Sequence, residues 1–145
     1  MPQDYKYSLE TAIEADKKGE LFQWLQDYLR GEGGNKELAD YLIEKPRTIS
    51  LVEFPLNKLK RGSGPEKEMP YVEVSEVWEK RVHNLVEKIN EGIKLPPLIV
   101  TDFGTPLGLS DGNHTHEALR RCGYNKYWTI FFFTKEVSLQ LLNLD

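Results

Sequence analysis

One segment of the chain joins a short apolar strand to a polar turn and then to a helix. It spans Leu109 to Arg121 and reads LSDGNHTHEALRR. The first N–H groups of a helix have no partners within the helix, and the helix dipole is positive at that end. Because a helix is predicted to begin at the turn that contains Gly112, Asn113 and His114, we expect an anion site there. The order of strand, turn and helix is typical of an α/β fold.

The side chains of the turn have predicted roles. Gly112 permits a positive φ or the close approach of a ligand to the backbone, and either Asn113 or Asp111 is expected to cap the helix. His114 and His116 lack the i, i+4 spacing of two helical zinc ligands, so a metal site made of protein ligands alone is not expected. The alternative interpretation of the turn is a capped helix start with surface histidines.

Size and composition limit the class of protein. The 145 residues are expected to form one domain with its own core. The net charge of −4 disfavours a generally basic surface for nucleic acid. Cys122 is the only cysteine, so no disulfide forms within the chain, which is typical of a cytoplasmic protein. Neither a signal peptide nor an apolar run of roughly 20 residues is present, so we expect no membrane partner.

The first third of the chain predicts three helices. Ser8 and Asn35 are predicted to cap the first and the third of them, and Gly19 to end the first. The second helix carries an apolar stripe at helical spacing, which consists of Leu21, Phe22, Trp24, Leu25, Tyr28 and Leu29. We predict that this stripe packs in the core, and the alternative is a surface for a partner.

The remainder predicts strands that alternate with helices. Strands are predicted over 48–54, 98–101, 107–109 and 128–134. Helices are predicted over 75–91, from either Asn113 or Thr115 to Cys122, and over 136–143. Ser75 is expected to cap the long helix, and the last strand is expected at the centre of the sheet because its apolar run is continuous. The irregular stretch 61–71 has the composition of a mobile surface loop. Its functional alternative is a lid over the turn at 111–114.

Several of these segments together resemble the ParB/sulfiredoxin superfamily. The matching segments are KLPPLIV at 94–100, LSDGNH at 109–114 and EALRRCGY at 117–124, with LVEFPLNKL at 51–59 as the opening strand and turn. The resemblance covers about 48–133. It implies a small mixed sheet flanked by helices, with a helical N-terminal extension over 1–46 and a single compact ParB/sulfiredoxin-like domain over 47–145.

The resemblance also implies a ligand. The superfamily includes partition proteins that bind CTP, sulfiredoxins that use ATP, and free-serine kinases, and a nucleotide phosphate at this turn unites them. The implied partner is a nucleotide (ATP, ADP or CTP) or a small phosphorylated ligand, with Mg²⁺ shared between the nucleotide and Asp111. The implied binding residues are Asp111, Gly112, Asn113, His114, Thr115 and His116.

Two departures from the family pattern narrow the function. Asn113 stands where sulfiredoxin-like members carry the catalytic cysteine, which excludes sulfinic acid reduction through that residue. Thr115 stands where an arginine usually follows the histidine, so one bidentate phosphate contact is lost. Arg120 and Arg121 replace that contact only if their side chains fold back towards the helix start. No helix-turn-helix DNA reader is expected after the shared core.

Two functions follow as hypotheses. The first is a nucleotide-binding protein with phosphotransferase activity towards a small hydroxyl substrate, in which Glu66, Glu68 or Glu73 acts as the general base. The alternative is a non-enzymatic accessory module, associated with DNA or with a protein, that uses the ParB-like core as a scaffold. In that case the helix with Trp24 and Tyr28 is the docking face. Nucleic acid is the less favoured partner because the chain is acidic.

Overall fold

The computed structural model describes residues 7–31, 34–43, 48–101 and 107–133. The helices within these ranges are α1 (Leu9–Lys17), α2 (Leu21–Arg30), α3 (Lys36–Ile43), α4 (Ser75–Asn90) and α5 (Asn113–Arg121). The strands are β1 (Thr48–Pro55), β2 (Ser63–Gly64), β3 (Tyr71–Val72), β4 (Leu98–Thr101), β5 (Leu109–Asp111) and β6 (Lys126–Phe133). The predicted α/β class is confirmed. The described part of the chain holds no helix long and apolar enough to cross a membrane.

Four strands form one mixed sheet in the order β1-β6-β4-β5. Strand β6 pairs antiparallel with β1 along its whole length and parallel with β4. Strand β5 pairs antiparallel with β4 as the predicted hairpin, with a register shift between Ile99 and Val100. The continuous apolar run of β6 therefore lies inside the sheet, as predicted, because both of its edges are paired and its side chains are covered on both faces.

The N-terminal helices cover one face of the sheet. Ser8 and Thr11 form a capping box at the start of α1, and Asn35 Oδ1 accepts a hydrogen bond from the Leu38 N–H at 3.0 Å. Buried side chains of α1, α2 and α3 share one cluster with sheet residues. Trp24 is 8% exposed and its ring stacks on that of Tyr28, with centroids 5.1 Å apart. The stripe on α2 thus packs in the core, and the docking face built on these two residues is wrong.

Helix α5 packs against the opposite face of the sheet and against α4. Leu119 lies in the cluster that includes Leu98 and Phe131 of the sheet. Ala118 packs with Trp78 and Val82 of α4, and all three are buried. Since successive residues of α5 contact two different elements, the position of its first turn is fixed from two sides.

Some predicted features differ from the structure or lie outside the described residues. The N-cap of α4 is Val74 instead of Ser75, because the Val74 carbonyl already accepts from the Trp78 N–H at 2.9 Å. The segment 61–71 contains the short parallel pair β2–β3, whose register joins Ser63 to Tyr71. The predicted helix over 136–143 lies outside the described residues.

Candidate functional site

Helix α5 begins immediately behind strand β5, with Gly112 as the single connecting residue. The φ of Gly112 is 97°, and a Cβ built there would lie 2.8 Å from Leu98 Cδ2. The Gly112 carbonyl accepts from the His116 N–H at 2.8 Å and so closes the first turn. The predicted need for glycine is therefore explained by both a left-handed backbone and a close approach to the sheet.

The N-cap of this helix is Gly112, which has no side chain with which to cap the helix start. Asn113 Oδ1 accepts from the Gly62 N–H at 2.6 Å, and Asp111 Oδ2 accepts from the Tyr28 hydroxyl at 3.4 Å. The prediction that Asn113 or Asp111 caps the helix is wrong, because residues distant in sequence engage both side chains. The first backbone N–H groups of α5 therefore receive no cap from Asp111, Gly112 or Asn113.

The contact between Asp111 and Tyr28 ties the N-terminal extension to the turn. Burial raises the pKa of the Asp111 carboxyl, although the Tyr28 hydrogen bond and the charge of His114 oppose this. Burial and the neighbouring Asp111 raise the pKa of the Tyr28 hydroxyl. Among the described residues no group of three or more acidic, histidine or cysteine side chains is arranged to hold a metal ion. For Asp111 to share Mg²⁺ with a nucleotide, as predicted, its hydrogen bond with Tyr28 would have to break.

Two residues of the segment 61–74, which leads from the 3₁₀ turn at 56–58 to α4, contact the start of α5. Gly62 reaches Asn113 as described above, and His114 Nε2 lies 3.0 Å from Glu73 Oε1. Within the segment 61–71, Gly62 contacts Asn113 of the predicted turn; the choice between a mobile surface loop and a lid stays a prediction. Partial burial alone raises the pKa of the Glu73 carboxyl, but hydrogen bonds with His114 and Ser63 lower the pKa more, so the carboxylate form is favoured.

The three candidate bases occupy different environments. Glu73 contacts His114 at the helix start. Glu66 pairs with Arg61, with Glu66 Oε2 and Arg61 Nη2 2.5 Å apart, and this hydrogen bond is the main reason why the pKa of its carboxyl is lowered. Glu68 is exposed on the surface of the segment. Only Glu73 is therefore brought into contact with a residue of the turn.

Three residues at this place were not predicted from the sequence. The Trp78 ring packs on the His114 ring with centroids 4.7 Å apart, and the Arg61 guanidinium lies 4.8 Å from the centroid of the Trp78 ring. Gly62 supplies the backbone N–H that holds Asn113. No local pattern identifies these residues, since Trp78 reads as one core position of an amphipathic helix and the others as part of a polar loop.

The remaining predicted binding residues differ in their position. Thr115 is half-buried in the first turn of α5. His116 is 8% exposed, and its Nε2 lies 2.8 Å from the Leu56 carbonyl oxygen. Its Nδ1 has no hydrogen-bond partner among the described residues, and burial lowers the pKa of its ring. The structure thus gives His116 a structural contact with the 3₁₀ turn at 56–58.

The two arginines of α5 fold back by one turn, but onto a carboxylate. Arg120 binds both oxygens of Glu117, with N–O distances of 3.0 and 2.6 Å. Arg121 Nε donates to the same carboxylate at 2.8 Å, and its two Nη groups donate to Glu79 of α4 at 2.9 and 2.8 Å. Both guanidiniums are therefore committed to protein carboxylates, and neither is in contact with the helix start.

A cavity of about 590 Å³ lies against strand β5, which precedes the helix start. It is bounded by α3, by residues 60–62 and by residues 108–110. Its volume is within the range of small-molecule sites. Gly62 lines the cavity and also holds Asn113, so the cavity and the first turn of α5 share a wall.

The comparisons with known proteins bear on the fold alone. No family model matches the chain, and no curated protein matches it. The chain is similar to a solved structure described as a Pnob8-like ParB-N domain, with 15% sequence identity and a TM-score of 0.41. The match covers 65% of this chain and 34% of that chain, so the chain spans about a third of that structure's length. The sulfiredoxin relation and the role of the motif at 109–121 stay predictions.

Proposed function

We propose that the start of α5 binds a phosphate group of a nucleotide. The observation that supports this most directly is the set of backbone N–H groups that follows Gly112, which the side chains of Asp111 and Asn113 do not cap. The cavity of about 590 Å³ that β5 and Gly62 line provides room for the rest of the ligand. His114, Thr115 and the amides of the first turn would contact the phosphate, and Asn113 would position the turn through Gly62.

We further propose that the bound nucleotide donates its terminal phosphoryl group to a small hydroxyl substrate. The substrate oxygen forms a bond to the terminal phosphorus, while the bond between that phosphorus and the bridging oxygen breaks. The electron pair of the broken bond leaves on the shortened nucleotide. Glu73 accepts the hydroxyl proton, because it alone of the three candidate glutamates contacts the turn and its lowered pKa keeps it ionised.

The first experiment measures thermal unfolding with ATP, ADP and CTP, each with and without Mg²⁺. A ligand that binds only the folded state adds about 2.7 kcal/mol of stability at a hundred times its dissociation constant. We expect a stabilising shift with at least one nucleotide. The absence of a shift with every nucleotide would remove the proposal.

A His114→Ala variant then tests the site itself by titration calorimetry. We expect it to abolish nucleotide binding and to leave the fold intact, because it removes a phosphate contact together with the partner of Glu73. The matched control is His83→Ala, since His83 is an exposed residue of α4 that pairs with Glu87. Retained affinity in the His114 variant, or an equal loss in the control, would contradict the assignment.

One observation favours the second candidate, a protein-interaction module. Four large apolar side chains near β3 and the start of α4 are exposed: Tyr71, Val72, Val74 and Val77. An exposed apolar group of this kind is typical of a contact surface. If no nucleotide changes the unfolding temperature, this candidate replaces the first.

A further inference from the structure

The N-terminal extension builds one wall of the cavity beside α5. Helix α3 contributes Leu38 and Tyr41 to one wall, and Leu109 and Ser110 of β5 contribute to the opposite wall. Asn35 and Glu37 lie on the α3 side as well. The extension is therefore part of a ligand-sized pocket, in addition to covering one face of the sheet.

The lining of the cavity is chemically uneven. Leu38, Tyr41 and Leu109 present apolar or aromatic surface. Lys60 lines the part formed by residues 60–62, and this part joins the first turn of α5 through the 2.6 Å contact between Gly62 and Asn113. A ligand that fits both regions has one anionic end and one flat or apolar end.

We propose that this cavity holds the nucleoside of the nucleotide whose phosphates bind at α5, with the base against Tyr41 and Leu38. This inference rests on the proposed function. A volume of about 590 Å³ exceeds the needs of a small hydroxyl substrate, and the apolar wall offers such a substrate few hydrogen bonds. Aromatic side chains, in contrast, stack on nucleobases of every type. Helix α3 is then the element that determines which base is accepted.

The experiment compares a nucleotide with a ligand that has phosphates but no nucleoside. The probes are ATP, CTP and GTP on one side and inorganic tripolyphosphate on the other, each titrated into the wild-type protein and into Tyr41→Ala. Tyr41 is 43% exposed, so the variant is expected to fold. Ile43→Ala is the matched control, because Ile43 is on the same helix, is 48% exposed and does not line the cavity.

We expect Tyr41→Ala to weaken the tightest-binding nucleotide about fivefold or more, the size of one lost base–aromatic contact. Binding of tripolyphosphate should stay unchanged, and Ile43→Ala should change neither. A second variant, Glu37→Trp, adds bulk at the cavity wall from an exposed position and should also weaken only the nucleotide.

The outcomes separate the two proposals. Unchanged nucleotide affinity in both Tyr41→Ala and Glu37→Trp would overturn the nucleoside site while the phosphate site stands. Equal weakening of nucleotide and tripolyphosphate would also overturn it, because the cavity would then not be a separate subsite. A wild-type protein that binds neither probe would refute the proposed function itself.

Discussion

The two ends of α5 differ in the charged and polar groups that they present. At its start, the first turn presents backbone N–H groups, and the nearby side chains Asp111 and Asn113 are engaged by Tyr28 and Gly62. At its end, Arg120 and Arg121 are held by carboxylates. The start therefore offers donors without a formal charge, while the end carries formal charges that are already neutralised.

This difference shows why two adjacent arginines do not by themselves make an anion site. Glu117 is 6% exposed and accepts from both guanidiniums. Burial alone raises the pKa of the Glu117 carboxyl, but the hydrogen bonds from Arg120 and Arg121 lower the pKa more, so it stays ionised. For either arginine to bind a phosphate, its contact with this buried carboxylate would have to break, which is costly.

The strongest test of the comparison replaces the glycine on either side of the helix. Gly112 and Gly123 both have a positive φ, 97° and 88°, but only at Gly112 would a Cβ meet another side chain. We expect Gly112→Ala to lower the free energy of unfolding by about 3 kcal/mol, since the backbone cost is joined by a clash with Leu98.

Gly123→Ala is the matched control, and we expect it to cost about 1 kcal/mol, because only the backbone term applies. Urea unfolding measures both variants. Equal losses at the two positions would show that the close approach of Leu98 does not constrain the start of α5.

The next largest effect is expected at the other end of the helix. Glu117→Gln removes the carboxylate that Arg120 and Arg121 share, and it should lower the free energy of unfolding by about 1.5 kcal/mol. This value is at the lower end of the range for hydrogen bonds to charged groups, because both arginines are partly exposed. Glu79→Gln, which removes only the exposed partner of Arg121, should shift the urea midpoint less. A Glu79 effect as large as that of Glu117 would mean that the contact between helices dominates the network.

The smallest expected effect is a pH dependence from His116. Burial, and to a lesser extent the charges of Arg61 and Arg120, lower its folded-state pKa below the ordinary value of 6.5, while the Leu56 carbonyl and Glu117 oppose this. The unfolded state then binds the proton more readily, so the stabilisation is complete above about pH 6.5 and is lost as the pH falls through the folded pKa.

Urea midpoints between about pH 7 and about pH 5 measure this loss. His116→Gln should flatten the decrease, whereas His83→Gln should retain it, because His83 is exposed on α4. The folded-state pKa values of Glu73 and Glu117 are also lowered, from the ordinary glutamate value of 4.5. These two residues therefore change the stability only at pH values below the range measured for His116. An unchanged slope in the His116 variant would contradict the assignment.

The parts of the fold that depend on local patterns were predictable from the sequence. The caps at Ser8 and Asn35 were correct because a capping side chain acts within three residues. The central position of β6 followed from its unbroken apolar run. The start of α5 at Asn113 is the first of the two predicted positions, Asn113 and Thr115.

The side-chain partners in the candidate site depend on the fold and were not predictable. The sequence did not distinguish Glu66, Glu68 and Glu73 as candidates for the general base. Only the fold brings Glu73 to His114, which is 41 positions away. Asn113 and Asp111 appeared to be capping residues because their partners, Gly62 and Tyr28, are 51 and 83 positions distant. Pairings over such distances leave no periodic signal in a single sequence.

The position of β6 also has a consequence for how the protein is made. This strand comes after every other described strand in the chain, yet it lies between β1 and β4. While the chain emerges from the ribosome, α1 to α3 can form from local contacts and β4 can pair with β5, but β1 has no neighbour until 126–133 is synthesised. The sheet is therefore completed late in translation, and the apolar edge of β4 needs protection until then.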